Sequence, residues 1–301
     1  MLKTSAVRGS RCRAGIRAFA FAVFSAILIS GEIARAAAEI VRVHCTPIGA
    51  RAFGQITAKL REQGIEVKLD SEAGSSAAIA ALINDRIDLA LTIRPLTGQE
   101  RSIDPEKRFA ERVVAYQSLA LIVPVDVWNS GVKAINRDQM ALIYEGRTKN
   151  WQVLGGEDRP IKFYNPEQGK GLWEPFVTWV YGDLRKAGLG SAFEAVASAE
   201  EARNSVEFNG GSISVAPIGL VDSKAIFPLA LKDEAGNAIA PDMEAIVKQR
   251  YPLSRPIVAI ASRRPTGSLR KMLDYLQTPE AHEILKQHGL VPAPPDAPLT
   301  P

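Results

Sequence analysis

The chain has 301 residues, enough for two domains of ordinary size, and its hydrophobic fraction of 46% and charged fraction of 23% are typical of a globular protein. Its formal net charge is +4, but the first 36 residues contain six of the 37 Lys and Arg residues and only one acidic residue, Glu32. The rest of the chain is therefore close to neutral, which argues against nucleic acid or an anionic membrane as its partner.

The N-terminal 36 residues have the pattern of a secretory signal. Basic residues precede an apolar run from Ala18 to Ser30, and Ala34-Arg35-Ala36 satisfies the small-x-small rule for cleavage. The apolar run is short for a membrane span, so we expect export and no membrane insertion after cleavage. Cleavage also removes Cys12, which leaves Cys45 as a single cysteine and excludes an internal disulfide.

Strands and helices alternate through the next part of the chain. Apolar runs predict strands at 40–43, 65–69 and 87–92, and residues with helical spacing lie between them. This β-α-β-α-β order predicts an α/β fold with a parallel sheet covered by helices on both faces. Residues 97–112 are predicted to be helical, and 113–124 form an apolar strand long enough to cross between two domains.

The second half of the chain continues the same alternation and ends in a proline-rich tail. Helices are predicted at 137–144, 200–208, 267–276 and 279–288 and around Phe176 and Val180, strands at 161–164, 212–216 and 257–261, and disorder at 293–301.

Thr46-Pro47 has a hydroxyl and a proline, which are typical of a helix start. Two other short segments favour the binding of a small anion. Gly74-Ser75-Ser76 has flexible backbone and hydroxyl donors before the next helix. Arg94 ends a strand, because Pro95 cannot continue the ladder. Strand ends of a parallel sheet open onto a ligand crevice, so these groups would face one anion. The alternative is a plain βα unit with a solvated arginine.

Catalysis by a cysteine nucleophile is a second hypothesis, with His44 as the base for Cys45. Adjacent residues on a strand point to opposite faces, which argues against this pairing. The sequence also contains no metal-ligand spacing, nucleophile elbow or phosphate-cradling loop. We therefore predict a protein that is not an enzyme and that carries no cofactor and no metal.

Several further segments occur together in the chain. They are DRIDLALTIRPL (85–96), the crossing strand 118–124, YEGRTKNW (144–151), Gly210-Gly211-Ser212-Ile213, YPLSRP (251–256) and TPEAHEILKQHGLVP (278–292). In this order they resemble the phosphate-type periplasmic binding proteins, the substrate-binding components of ABC importers. The resemblance covers nearly all of the chain after the signal.

The resemblance implies a two-lobed, type II periplasmic-binding-protein-like α/β fold, with mixed sheets covered by helices and a hinge of crossing strands that closes on the ligand. The first lobe is expected at 39–117 plus 225–292 and the second at 118–224. A monomer in the periplasm is implied, with no catalysis.

The resemblance also implies four ligand loops, of which the fourth departs from the family. The first three match Thr46-Pro47, Gly74-Ser75-Ser76 and Arg94. The fourth is the loop with Gly169, Lys170 and Gly171, and this chain has Lys170-Gly171-Leu172-Trp173 where the family typically has a Ser-Gly-Thr-Arg run at a helix start. Loss of two hydroxyls and a guanidinium without replacement would weaken binding by roughly a hundredfold or more, unless Lys170 and helix amides compensate. Lys170 is otherwise an exposed lysine in a glycine turn.

Two functions follow from the resemblance. The first is capture of a small oxyanion, phosphate by default, for an ABC permease. The second is a periplasmic sensor or accessory protein that has lost phosphate binding and serves a sensor kinase or another partner.

Overall fold

The computed structural model describes residues 39–72, 74–103, 106, 108–168, 172–186 and 194–297. The predicted signal at 1–36 and the predicted ligand loop Gly169-Lys170-Gly171 lie outside these residues. None of the helices within the described ranges has the length and apolar character needed to cross a membrane.

Thirteen strands and ten α-helices form the described part of the chain. The strands are β1 (Val41–Cys45), β2 (Val67–Asp70), β3 (Leu89–Thr92), β4 (Phe109–Pro124), β5 (Ala134–Ile135), β6 (Lys162–Pro166), β7 (Glu194–Val196), β8 (Ser212–Pro217), β9 (Ile226–Pro228), β10 (Ala230–Lys232), β11 (Ala238–Ile239), β12 (Ser254–Ser262) and β13 (Leu290–Pro292). The helices are α1 (Ala50–Glu62), α2 (Ser75–Ile83), α3 (Gly98–Ser102), α4 (Val125–Asn129), α5 (Arg137–Tyr144), α6 (Trp173–Tyr181), α7 (Ala199–Phe208), α8 (Met243–Val247), α9 (Gly267–Tyr275) and α10 (Pro279–Gln287).

The first sheet begins with three parallel strands in the order β2-β1-β3, continued by the antiparallel strand β12. Helix α1 packs on one face because Phe53, Ile56 and Leu60 recur at helical spacing and are buried. Helix α2 packs in a different hydrophobic core from α1, where its residues Ile79 and Leu82 are buried. The parallel strands and their covering helices confirm the predicted α/β class.

Strand β4 connects the first sheet to the second. Its first half pairs antiparallel with β12, and its second half pairs antiparallel with β8 and β9. From Val113 to Pro124 every residue of β4 is buried, which fits the long apolar run of the sequence. This strand, with β12 beside it, is the crossing element of the two-lobed, periplasmic-binding-protein-like fold.

The predicted helix at 97–112 is wrong in its second half. Among the described residues of this range only Gly98–Ser102 is helical, and β4 begins at Phe109. Glu111 and Arg112 make the start of this strand look polar in the sequence, but the backbone of residues 109–112 pairs with Ala259–Ser262 of β12. Pairing with a neighbouring strand therefore overrides the local pattern.

The strand order of the second sheet is β4-β8-β6-β7. Aromatic side chains fill the core between this sheet and helices α5 and α6. The rings of Tyr144, Phe163 and Phe176 lie 5.9 Å from one another. Trp151 of the YEGRTKNW segment is buried, and its indole Nε1–H donates to the carbonyl oxygen of Gly211 at 2.8 Å. Two segments singled out in the sequence are thus joined by one buried hydrogen bond.

The lobe boundaries stay a prediction. Strand β9 pairs with Ile122–Pro124, and β10 pairs with β5 in a small separate sheet. These pairings favour a return of the chain to the first lobe after β10 rather than at residue 225.

The first residue of the tail predicted to be disordered, Ala293, packs against the folded part of the chain. Ala293 is buried, and its N–H donates to the carbonyl oxygen of Val114 at 3.1 Å. This bond continues the pairing of β13 with β4, so the prediction of disorder does not hold for this residue. Residues 298–301 lie outside the described part.

We expect Trp151→Phe to lower the free energy of unfolding by about 2 kcal/mol, because it removes a buried hydrogen bond and leaves unfilled volume. Urea unfolding followed by circular dichroism measures the change. The control is Trp128→Phe, since Trp128 is only partly buried and stacks on Phe227. Equal losses in the two variants would contradict a special role of the Trp151 hydrogen bond.

Candidate functional site

The candidate site lies at the carboxyl ends of the parallel strands β1 and β3. The register pairs Cys45 with Leu91, and the N–H of Thr46 donates to the Leu91 carbonyl oxygen at 3.1 Å. Thr46 therefore lies beside Thr92, at the edge where parallel strands of α/β proteins open onto their ligands.

The start of helix α2 is tied to the loop after β3. Gly74 is the residue before the helix, and its carbonyl oxygen accepts the N–H of Ala78. The N–H groups of Ser75 and Ser76 precede the first possible intrahelical bond and so have no acceptor within the helix. The Ser75 Oγ accepts the N–H of Ile93 at 3.2 Å. This bond brings the helix start next to Arg94.

The Arg94 guanidinium is held by three neighbours. It donates to Glu100 with both terminal nitrogens, at 2.8 Å and 2.9 Å, and to the Pro95 carbonyl oxygen and the Ser76 Oγ at 3.0 Å each. A bidentate pair of this kind fixes the plane of the guanidinium. The structure thus places Arg94, Ser75, Ser76 and Thr46 at one edge of the sheet, and the Arg94 guanidinium is held by protein contacts.

Glu100 is a site residue that the sequence reasoning missed. Its N–H donates to the Thr97 Oγ1 and its carboxylate accepts the Thr97 N–H, which forms a capping box at the start of α3. The Arg94 hydrogen bonds lower the pKa of the Glu100 carboxyl to about 2, with further lowering by Thr97. The run Thr97-Gly98-Gln99-Glu100 has the Thr-x-x-Glu signature of such a box, so the cap was visible in the sequence but its bond to Arg94 was not.

The Thr46 hydroxyl is buried and does not cap a helix. Thr46 is 4% exposed, and its Oγ1 has no hydrogen-bond partner among the described residues. Pro47–Gly49 forms a 3-10 turn, and α1 begins only at Ala50. The predicted helix start is therefore displaced by three residues. An unpaired buried hydroxyl is unfavourable unless something binds to it, so this group is available to a ligand.

The hypothesis of a cysteine nucleophile is not supported by the geometry. Burial raises the pKa of the Cys45 thiol to about 12, so the reactive thiolate is absent at neutral pH. The thiol donates to the Thr46 carbonyl oxygen, while His44 Nε2 lies 3.7 Å from the Asp70 carboxylate. In the part of the chain that is described, no cluster of His, Cys, Asp and Glu has the arrangement of a metal site.

The fourth predicted loop can be followed only at its borders. Strand β6 ends at Pro166, and α6 begins at Trp173 after Gly169-Lys170-Gly171, which lie outside the described residues. Trp173 is buried, with its indole Nε1 3.4 Å from the Tyr144 hydroxyl oxygen. Trp173 therefore packs in the core of the second sheet.

Comparison with known proteins gives the same relatives by sequence and by structure. The phosphate-binding protein PstS of Borreliella burgdorferi is 24% identical over 229 residues, which cover 72% of this chain and 77% of that protein. The crystal structure of PstS from Borrelia burgdorferi aligns with a TM-score of 0.64 at 21% identity, covering 84% of this chain and 98% of that one. A possible phosphate-binding protein from Planctomyces limnophilus aligns with a TM-score of 0.69 at 16% identity, covering 85% and 94%.

These structural likenesses show the fold, since their sequence identities are low. The family assignment rests on the sequence itself. The model of the PBP superfamily domain matches residues 30–280, which is most of the chain. The chain therefore belongs to the PBP superfamily of periplasmic binding proteins.

Proposed function

We propose that this chain is an exported solute-binding protein that captures a small oxyanion, phosphate by default, and delivers it to an ABC permease. The observation that carries the proposal is the convergence of Thr46, Ser75, Ser76 and Arg94 at one sheet edge. The names of the relatives, which are phosphate-binding proteins, support the same class of ligand. Export to the periplasm rests on the signal pattern of residues 1–36 and on the same relatives.

The two serine hydroxyls are oriented as donors for a ligand. The Ser75 oxygen accepts from Ile93 and the Ser76 oxygen accepts from Arg94, so each hydroxyl hydrogen is left for an anion. The free N–H groups at the start of α2 carry the positive end of the helix dipole in the same place. With the Thr46 hydroxyl, these donors form the oxyanion site that we propose, and Pro47 and Gly74 hold its backbone.

Arg94 acts in this proposal mainly through Ser76. Its four terminal N–H groups match four contacts: two to Glu100, one to Pro95 and one to Ser76. Only the Nε–H remains for direct contact with an anion. Because Glu100 is ionised, the pair has no net charge, and selection of the ligand depends on hydrogen-bond donors more than on charge.

The neutral pair also favours the second candidate function. A site without net positive charge, combined with the altered fourth loop at Gly169-Lys170-Gly171, suits a sensor or accessory protein that has lost phosphate transport. A histidine kinase gene beside this one, without permease or ATPase genes, would favour that role. A complete importer operon would argue against it.

Calorimetric titration of the protein with phosphate, sulfate and molybdate tests the first function. We expect one anion to bind, and Thr46→Val and Ser75→Ala each to weaken its binding by roughly tenfold to a hundredfold, because each removes a hydrogen bond to a charged group. Thr266→Val is the matched control, since Thr266 is exposed and its side chain makes no capping bond. Absence of heat with all three anions would remove this proposal.

The Arg94–Glu100 pair predicts a defined pH dependence of stability. The pKa of Glu100 falls from its ordinary value of 4.5 to about 2 in the folded protein. The stabilisation is therefore complete above pH 4.5 and is lost as the pH falls toward 2.

We expect Glu100→Gln to be less stable than the unmodified protein at pH 7, and the difference in unfolding free energy to shrink steadily between pH 4.5 and 2. Urea unfolding at several pH values measures it. Glu234→Gln is the control, because Glu234 is exposed and its side chain has no ion pair or hydrogen bond with any residue in the described ranges. A difference that stays constant over this pH range would show that Arg94 does not hold the Glu100 carboxylate.

A further inference from the structure

A second pocket lies where the crossing strands meet the helices of the second sheet. In the β4–β12 ladder Gln117 is the direct partner of Arg255, so their side chains are neighbours on one face. Helices α5 and α6 close the pocket from the other side. It has a volume of about 210 Å³ and is lined by Gln117, Arg137, Pro175, Thr178, Trp179, Pro252, Leu253 and Arg255.

Two cations line this pocket without a protein partner. The side chains of Arg137 and Arg255 form no ion pair and no hydrogen bond with any residue in the described ranges, whereas Arg94, Arg159 and Arg203 each pair with a carboxylate. Arg255 is also partly buried. A partly buried guanidinium without a counter-charge is unfavourable, and the exposed Arg137 adds a second unpaired cation beside the same cavity, which makes it a place for an anion.

Gln117 adds an unpartnered polar group to the same pocket. Its side chain is 9% exposed, and its buried Oε1 has no hydrogen-bond partner in the described part of the chain. Buried side-chain amides are nearly always paired, so an unpaired one beside two arginines is a second, independent indication of a ligand. The oxygen itself only accepts hydrogen bonds, so it would pair with a donor group of the ligand, whereas the amide turned by 180° would present its N–H groups to the anionic head.

The remaining walls are mostly apolar. Trp179, Pro175 and Leu253 line the cavity and are largely buried by the protein itself, with Trp179 8% exposed. A bare inorganic anion would contact the arginines alone, whereas an anion with an apolar group would also pack against these side chains. The volume of about 210 Å³ limits that group to about the size of one ring.

We propose that this hinge pocket binds a small organic anion, with its carboxylate or phosphonate head between Arg137 and Arg255 and a compact apolar group against Trp179. The site is separate from the oxyanion site at Thr46 and Arg94 and uses none of its residues. It extends the range of ligands beyond the inorganic oxyanion of the proposed function.

Titration of the full chain with benzoate and with phenylphosphonate, followed by calorimetry, tests the proposal and distinguishes the two head groups. We expect saturable binding of at least one probe below about 1 mM, and Arg255→Gln and Arg137→Gln each to weaken it by roughly tenfold or more. Arg137 is exposed at the first position of α5, so this variant keeps the test valid if Arg255→Gln fails to fold.

The controls separate this site from the oxyanion site. Arg185→Gln is matched in charge and 89% exposed, and it should leave binding of the probe unchanged. Thr46→Val should also leave it unchanged while weakening phosphate. Failure of both probes to bind, binding that survives both pocket substitutions, or loss of probe binding in Thr46→Val would each overturn the proposal without deciding the phosphate result.

Discussion

The structure depends on one continuous strand that serves two sheets. Strand β4 runs from Phe109 to Pro124 and pairs first with β12 and then with β8 and β9. Every residue of β4 from Val113 onward is buried. The backbone groups of the strand are paired in the ladders, and its side chains pack into the cores on both faces. Main-chain hydrogen bonds of this one strand therefore link the sheet whose edge holds the proposed site to the second sheet.

The net charge of that edge is closer to zero than the presence of Arg94 suggests, because Arg94 pairs with Glu100. Glu100 takes two of the Arg94 contacts, and the carboxylate is itself held by the capping box of α3. In the proposed function, the donors that remain for an anion are the Thr46 hydroxyl, the serine hydroxyls and the N–H groups at the start of α2. Such donors discriminate by geometry and protonation state, because each unmatched donor in a buried site is costly.

The sequence predicted those features that depend on local patterns. Helix α5 begins and ends at the predicted residues 137 and 144, because its apolar spacing and its Asn136 cap are both local. The start of β4 was missed because its polar residues are made into a strand only by β12. In the same way, Glu100 was visible as a cap but not as the partner of Arg94. The hinge pocket was not predictable at all, because Gln117 and Arg255 meet only through the ladder.

The most direct test of the account is a crystal structure of the protein grown with arsenate, whose anomalous scattering locates an oxyanion without ambiguity. The account predicts an arsenic peak about 4 Å from the Thr46 hydroxyl oxygen and from the Ser75 and Ser76 N–H groups at the start of α2, so that the arsenate oxygens lie within hydrogen-bond distance of these donors. An arsenate peak elsewhere on the protein, with this edge unoccupied, would contradict it.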